Sequence, residues 1–545
     1  MIAMKIEPSH ESPREQRARR PAGWRILGLS LLTFGAVITT VGLFYAEENW
    51  RGRQEWEAYK RHLEASGVHL DWHKDIPPPV PDDQNFAMTP FLAPLYDYIR
   101  PPNGNTDFLP YRDTNGVNRA ECFAQDFDLH YDFRDFFAEQ GHLANLNQWV
   151  SILRNPAQPI QPNSTPPPAQ LTRKEAAAEI LLELNQFKPV LDELRTASTR
   201  PYSRFNVYYG PPNPLLMVLP HVFVLERLSG VLQVRASAKL ALGDSQGAFE
   251  DVCLMFALAE AIHADAIFWS QSARASMLCG CRQIIWEGLA QDLWSDPQLL
   301  AFETRLTKIA LIKDVVTGLE CERGQNVQFF EFIRKQPGAL DGMLRDLAGT
   351  GRYAPVPLLV RAAPSGWLYR EQIESDRIYD ENVLSAFDAQ GGRIHPRMID
   401  ALGNPSRQQA EGSFNRFWQQ EIIEKFLQPW NRPWEKWPLL RFAFGQTSVE
   451  EAAVACALQR YRLANGHFPE KAQELVPGFI DKLPDDVCNG KPLEYRRIDG
   501  SHFLLYSVGW NETDDSGGVV MNSDGRTVDL TQGDWVWQPY PAKPD

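Results

Sequence analysis

The chain has 545 residues, 43% hydrophobic and 11% aromatic with 16 Trp, a globular composition that excludes a disordered polymer. Six bases and three acids give residues 1–25 a net charge of +3, which leaves −17 of the total −14 to the rest. That acidic remainder argues against a nucleic-acid partner, because phosphate binding needs a basic surface.

Residues 1–25 read as a basic cytoplasmic tail and Ile26–Ala46 as a transmembrane anchor. The latter segment, ILGLSLLTFGAVITTVGLFYA, has 21 residues with neither charge nor proline. At about 1.5 Å per helical residue it reaches about 30 Å, the thickness of a bilayer core. The flank after it, Glu47–Lys60, has four acids and three bases. The asymmetry predicts a single-pass protein with a cytoplasmic N-terminus and residues 47–545 outside the cytoplasm. A cleaved signal peptide is the alternative, but Phe44 stands where such a site needs a small residue. An extracytoplasmic part of about 500 residues is expected to form two or three domains.

Residues 47–170 read as a juxtamembrane helix, 47–66, ending near Gly67, followed by a proline-rich extended region. Prolines force an extended path on Asp75–Leu95. The stretch Asn155–Gln170, proline-dense and uncharged, reads as a linker. His62, His69 and His73 would share one face of a continuous helix, a spacing able to bind zinc. Gly67 interrupts that helix, however, and Leu70 occupies the place of the HExxH glutamate, so a surface reading is preferred.

Residues 171–335 read as a helical domain. Thr172 and Glu175 form a capping box ahead of Ile180, Leu181, Leu184 and Phe187 at helical spacing. Two helices are expected to meet at Gly243-Asp244-Ser245, with Ala238 and Ala248 as small crossing residues. This one hairpin resembles the tetratricopeptide class, without a clean 34-residue period. Glu320 and Glu322 bracket Cys321 and face different directions on a helix, so they form no acid–base pair. Asp380-Glu381 needs a partner that the sequence does not name.

The seven cysteines, Cys122, Cys253, Cys279, Cys281, Cys321, Cys456 and Cys488, include no CxxC pair and read mainly as small buried apolar residues. Cys279 and Cys281 lie two apart in a helix and should not pair. No P-loop, GxGxxG or nucleophile elbow is read. Residues 336–446 read as an irregular aromatic-rich region, broken by Pro355, Pro357, Pro364, Pro396, Pro405, Pro429 and Pro433.

Residues 447–545 read as an α+β module. Ser448 and Glu451 form a second capping box, and Gly466 stands at a C′ position. A two-residue turn at Asp499-Gly500 would pair Tyr495 with Leu504 and Leu493 with Tyr506. A second hairpin is expected to turn at Asp524-Gly525. The order of Tyr461, Gly466, Phe468-Pro469, Leu475, Leu483-Pro484-Asp485, Pro492, Tyr495, Tyr506-Ser507, Gly509 and Asp514-Asp515 resembles the globular part of the major pseudopilins of type II secretion. The resemblance spans about 70 residues. The anchor, by contrast, has no glycine–phenylalanine processing signature followed by glutamate. The resemblance implies a helix on an antiparallel sheet and a calcium loop, with Asn511, Asp514 and Asp515 as ligands and Glu512 and Asp524 nearby. Calcium takes six to eight hard oxygens, and a plain polar turn is the alternative. With Pro77–Ala87 (PPPVPDDQNFA), the whole chain is similar to a group of anchored bacterial envelope proteins, a resemblance that supplies no activity.

The fold class expected is therefore mainly α with a C-terminal α+β module behind one transmembrane helix. The function expected is a non-catalytic, membrane-anchored scaffold of the bacterial inner membrane, with envelope proteins as partners. An envelope hydrolase with an unrecognised site, or a secretion-apparatus component, are the alternatives.

Overall fold

The computed structural model describes residues 22–99, 110–126, 141–154, 169–210, 213–214, 217–336, 338, 363–402, 436–523 and 527–537. The tail up to residue 21, most of the linker and Asp524-Gly525 lie outside them. The protein is mainly helical, with small antiparallel sheets near the C-terminus.

Helix α1, Ala22–Ala65, joins the apolar run and the juxtamembrane segment in one uninterrupted element. Every large apolar side chain from Ile26 to Phe44 is at least 48% exposed, and this helix is long and apolar enough to cross a membrane. Its second half is different. Trp56 and Leu63 are buried, and the helix stops before Gly67, which takes φ +84°. Only glycine adopts that conformation without cost.

The helical body follows: α2 Thr114–Asp126, α3 Leu146–Arg154, α4 Arg173–Leu184, α5 Lys188–Ala197, α6 Pro220–Ala241, α7 Ser245–Ala261, α8 Phe268–Ala290, α9 Asp296–Leu306 and α10 Leu311–Lys335. Thr172 caps α4 through the reciprocal box with Glu175 that the sequence predicts. Helices α6 and α7 form the expected hairpin, turning at Gly243 (φ +79°) with Asp244 accepting from the Gly247 N–H at 2.9 Å. Ala238 and Ala248 are fully buried, so the backbones approach closely. Helix α8 is buried nearly all round and packs on α6, α7 and α10. Of the cysteines, Cys253, Cys279, Cys281, Cys321, Cys456 and Cys488 are free thiols, all buried except Cys253.

Within 336–446, the described residues 363–402 and 436–446 correct the expectation of irregular structure, while Pro355, Pro357, Pro405, Pro429 and Pro433 lie outside the described residues. Residues 363–402 form α11, Ser365–Arg377, then a π-helical turn Ile378–Val383, a hairpin of β1 Phe387–Asp388 and β2 Arg393–Ile394, and α12 Pro396–Leu402. Prolines read as breakers sit instead at helix starts: Pro364 before α11 and Pro396 opening α12. There the missing N–H costs nothing.

A second correction concerns Ser448 and Glu451. They do not begin a helix, because α13 runs unbroken from Lys436 to Asn465 and buries both in its interior. Its flanks pack on α8 and α9, and burial outweighs the local capping signal. Gly466 ends it at φ +80°.

The C-terminal strands are β3 Glu494–Arg497, β4 Phe503–Ser507, β5 Val519–Met521, β6 Val528–Gly533 and β7 Trp535–Val536, in sheets ordered β3-β4-β7 and β5-β6. The hairpin at Asp499-Gly500 exists, but its register is one residue off the expectation. Tyr495 opposes Leu505, not Leu504. Asp499 accepts from the Ser501 N–H at 2.7 Å and lies 2.9 Å from His502 Nδ1, which builds a three-residue loop. The slip turns Leu505 inward, with Phe503, and leaves Leu504 against Gly517 on the other face. Strands β5 and β6 form the second hairpin. Trp535 meets Phe444 of α13 with ring centroids 5.4 Å apart, so one apolar core is continuous from the helices into the sheets.

Candidate functional site

Where the end of α1, the segment 67–76 and α10 meet, an open cleft of about 730 Å³ forms. Its floor is Trp72, whose Nε1–H donates to Gln328 Oε1 at 2.7 Å. The approach depends on Gly324, because a Cβ there would stand 2.7 Å from Trp72 Cβ and 3.0 Å from the Leu70 carbonyl oxygen. Lys60, Lys74 and Lys335 line the cleft together with Glu64, Asp71 and Glu331. Three lysines thus face three carboxylates, so the lining is balanced in charge.

His69 and His73 reach this cleft separately. His69 Nε2 lies 3.6 Å from Asp75 Oδ1, and His73 Nδ1 lies 3.2 Å from Asp71 Oδ1. His73 Nε2 is 3.2 Å from the Tyr209 carbonyl oxygen. His62 stays exposed on the last turn of α1, beyond the break at Gly67. Among the described residues, no group of three or more His, Cys, Asp or Glu is placed to hold a metal ion.

Next to the cleft a polar brace ties α1, α10 and α11 together. Arg323 donates twice to Asp376, from Nε to Oδ1 and from Nη2 to Oδ2, both at 2.7 Å. Its Nη1 donates to Asp380 Oδ1 at 3.1 Å, which supplies the partner that the sequence could not name. The Tyr59 hydroxyl of α1 donates to Asp376 Oδ2 at 2.9 Å. Arg323 and Asp376 are both buried. Glu320 and Glu322 lie two apart within α10, a spacing that turns them to different sides of the helix. Burial raises Glu320, with Asp75 adding to the shift, and pushes Glu322 up to about 8. The Cys321 thiol between them is likewise raised by burial. It is an inert side chain, not a nucleophile.

A third cluster had no sequence signal, since its members lie 125 and 44 residues apart. The Tyr96 hydroxyl meets His221 Nδ1, His221 Nε2 lies 2.8 Å from Asp265 Oδ2, and Ser270 Oγ donates to the same oxygen at 3.2 Å. Phe205 stacks on the imidazole at 4.1 Å. The order tyrosine–histidine–aspartate resembles a proton relay. His221 is fully buried and Tyr96 and Asp265 nearly so, so no substrate reaches it here and it locks the 82–98 segment onto α6. Asn85, from the PPPVPDDQNFA stretch, fastens the same segment. Its amide donates to the Arg204 carbonyl and its oxygen accepts from the Arg204 N–H, both at 2.8 Å.

Gly243-Asp244-Ser245-Gln246-Gly247 spells GxSxG, the letters of a nucleophile elbow. A nucleophile elbow needs a strand before the serine and a helix after it. Here α6 precedes Ser245, so the spelling marks an ordinary capped turn between two helices.

The acidic loop after β4 is held by its own bonds. Asp514 Oδ1 accepts from the Tyr506 hydroxyl at 3.0 Å and the Ser516 N–H at 2.8 Å. Asn511 Nδ2 donates to Asp515 Oδ2 at 3.2 Å, and Glu512 pairs with Arg397 at 2.5 Å. Buried Asp534, which sequence reasoning missed, accepts from the Asp515 and Gly517 N–H groups at 3.2 and 2.6 Å. Of the expected ligands, Asn511 and Asp515 are thus joined to each other, while Asp514 faces Tyr506. No protein family, characterised protein or solved structure matches the chain.

Proposed function

We propose that the protein is a membrane-anchored scaffold, with α1 crossing the bacterial inner membrane once and residues 47–545 outside the cytoplasm. The observation that carries this reading is the division of α1. One helix is bare and apolar over Ile26–Leu43, then docks on the body through Trp56, Tyr59 and Leu63. A flexible tether would not need that docking. The large polar clusters support a structural role, since the Arg323 and His221 networks each join elements distant in sequence. In this reading the cleft beside Trp72 and the pseudopilin-like C-terminal module are the surfaces offered to envelope proteins. The test has two parts. A reporter active only outside the cytoplasm, fused after Asp545, should be active. Crosslinking in native membranes should recover a protein partner on 67–74 or on the C-terminal strands. Reporter activity in the cytoplasm overturns the topology, and crosslinking that recovers no protein overturns the scaffold.

A further inference from the structure

The first turn of α11 meets α1 very close to the end of the apolar run. Gly366 abuts α1 so tightly that a Cβ on it would lie 1.9 Å from the Glu48 carbonyl oxygen. The Gly366 N–H donates to Asn49 Oδ1 at 3.0 Å, and the Trp367 Nε1–H donates to Glu48 Oε2 at 2.9 Å. The Trp367 ring reaches back to Phe44, inside the apolar run, with centroids 6.5 Å apart. Glu48 is two residues past Ala46, about 3 Å along the helix axis. The headgroup layer on each side of a bilayer is about 5–7 Å thick. A body element that touches both Phe44 and Glu48 therefore falls within that layer. The aromatic residues at this level agree. Trp50 is 66% exposed although it stands on a helix that docks on either side of it. Tyr45 and Trp367 complete a belt of the kind found at membrane–water interfaces, where an amphipathic ring has both an apolar and a wet side.

We propose that the first turn of α11, Ser365–Trp367 with Pro364 before it, lies in the headgroup layer of the membrane that α1 crosses. The body then sits on the bilayer surface through two elements, with its orientation fixed. The inference rests on the reading of α1 as a membrane anchor. The experiment uses the full chain in phosphatidylglycerol–phosphatidylethanolamine vesicles that contain a lipid with a photoactivatable group in the headgroup region. Flotation is measured first, and crosslinked peptides are then mapped by mass spectrometry. The expected result is lipid attached to the peptide around 363–370, at a lower yield than around exposed Trp50 because Ser365 and Trp367 are half-buried, and none on the β3–β4 loop, 498–502. A chain that floats with the vesicles but carries lipid only on α1 overturns the seating. A chain that does not float overturns the anchor itself.

Discussion

Gly52 of α1 and Gly366 of α11 stand backbone to backbone: a Cβ on Gly52 would lie 2.3 Å from the Gly366 carbonyl oxygen. Neither side of this contact is a flexible side chain that could swing away. The anchor helix and the body are therefore joined at a point where only hydrogen fits.

Gly52→Ala should loosen that joint. In an unhindered helix the change would be favourable by up to about 1 kcal/mol. Here the overlap with backbone should outweigh it, for a net loss of about 1–3 kcal/mol. Gly42→Ala in the same helix is the control, because nothing lies within 4 Å of its Cβ position. Thermal unfolding in detergent, with limited proteolysis between residues 47 and 66, checks this. Equal melting temperatures for both variants would remove the joint from the argument.

Arg323 and Asp376 make the second test. Both are buried, and Arg323 donates two hydrogen bonds to Asp376. Removing either partner leaves the other charge in a poorly solvated place, and Arg323→Ala or Asp376→Ala should cost about 3–5 kcal/mol. Asp380 bonds the same guanidinium but keeps 47% of its side chain exposed, so Asp380→Ala should cost less than about 1 kcal/mol. Urea unfolding midpoints rank the three variants. An Asp380 variant as damaged as the Asp376 variant would contradict the assignment of the buried pair as the brace.

What the sequence made legible was mostly local chemistry. Thr172 with Glu175, and the glycines at 67, 243 and 466, act within one or two turns of their own positions. The failures came where distant packing decided. Ser448 and Glu451 have the spacing of a helix start, yet α13 is buried along both positions and continues through them. The Asp499-Gly500 turn was visible, but a one-residue difference in loop length reverses which side chains face inward, and Leu505 took the place expected of Leu504. The site was less legible still. Arg323 and Asp376 are 53 residues apart and Tyr96 and His221 are 125 apart, and no periodicity links such pairs.

The last prediction concerns pH. Glu450 and Glu451 stand side by side in α13. Burial pushes Glu450 up to about 8, with Gln446 opposing, and raises Glu451 well above the carboxylate range despite Arg282. Burial also pushes Glu322 and Glu371 up to about 8. In each case the folded chain holds a proton more tightly than the unfolded chain, whose glutamates titrate near 4.5. Between those two values the folded state binds more protons, so stability must fall as pH rises. The stabilisation is complete below about pH 4.5 and is lost as the pH climbs through about 8. Glu450→Gln removes one of these groups while keeping its shape. The variant should lose less stability than the parent chain between about pH 5 and pH 9. Urea unfolding at both pH values measures the two slopes. Parallel slopes would mean that Glu450 is already ionised in the folded chain, and a parent whose stability rises over this range would reverse the sign of the whole argument.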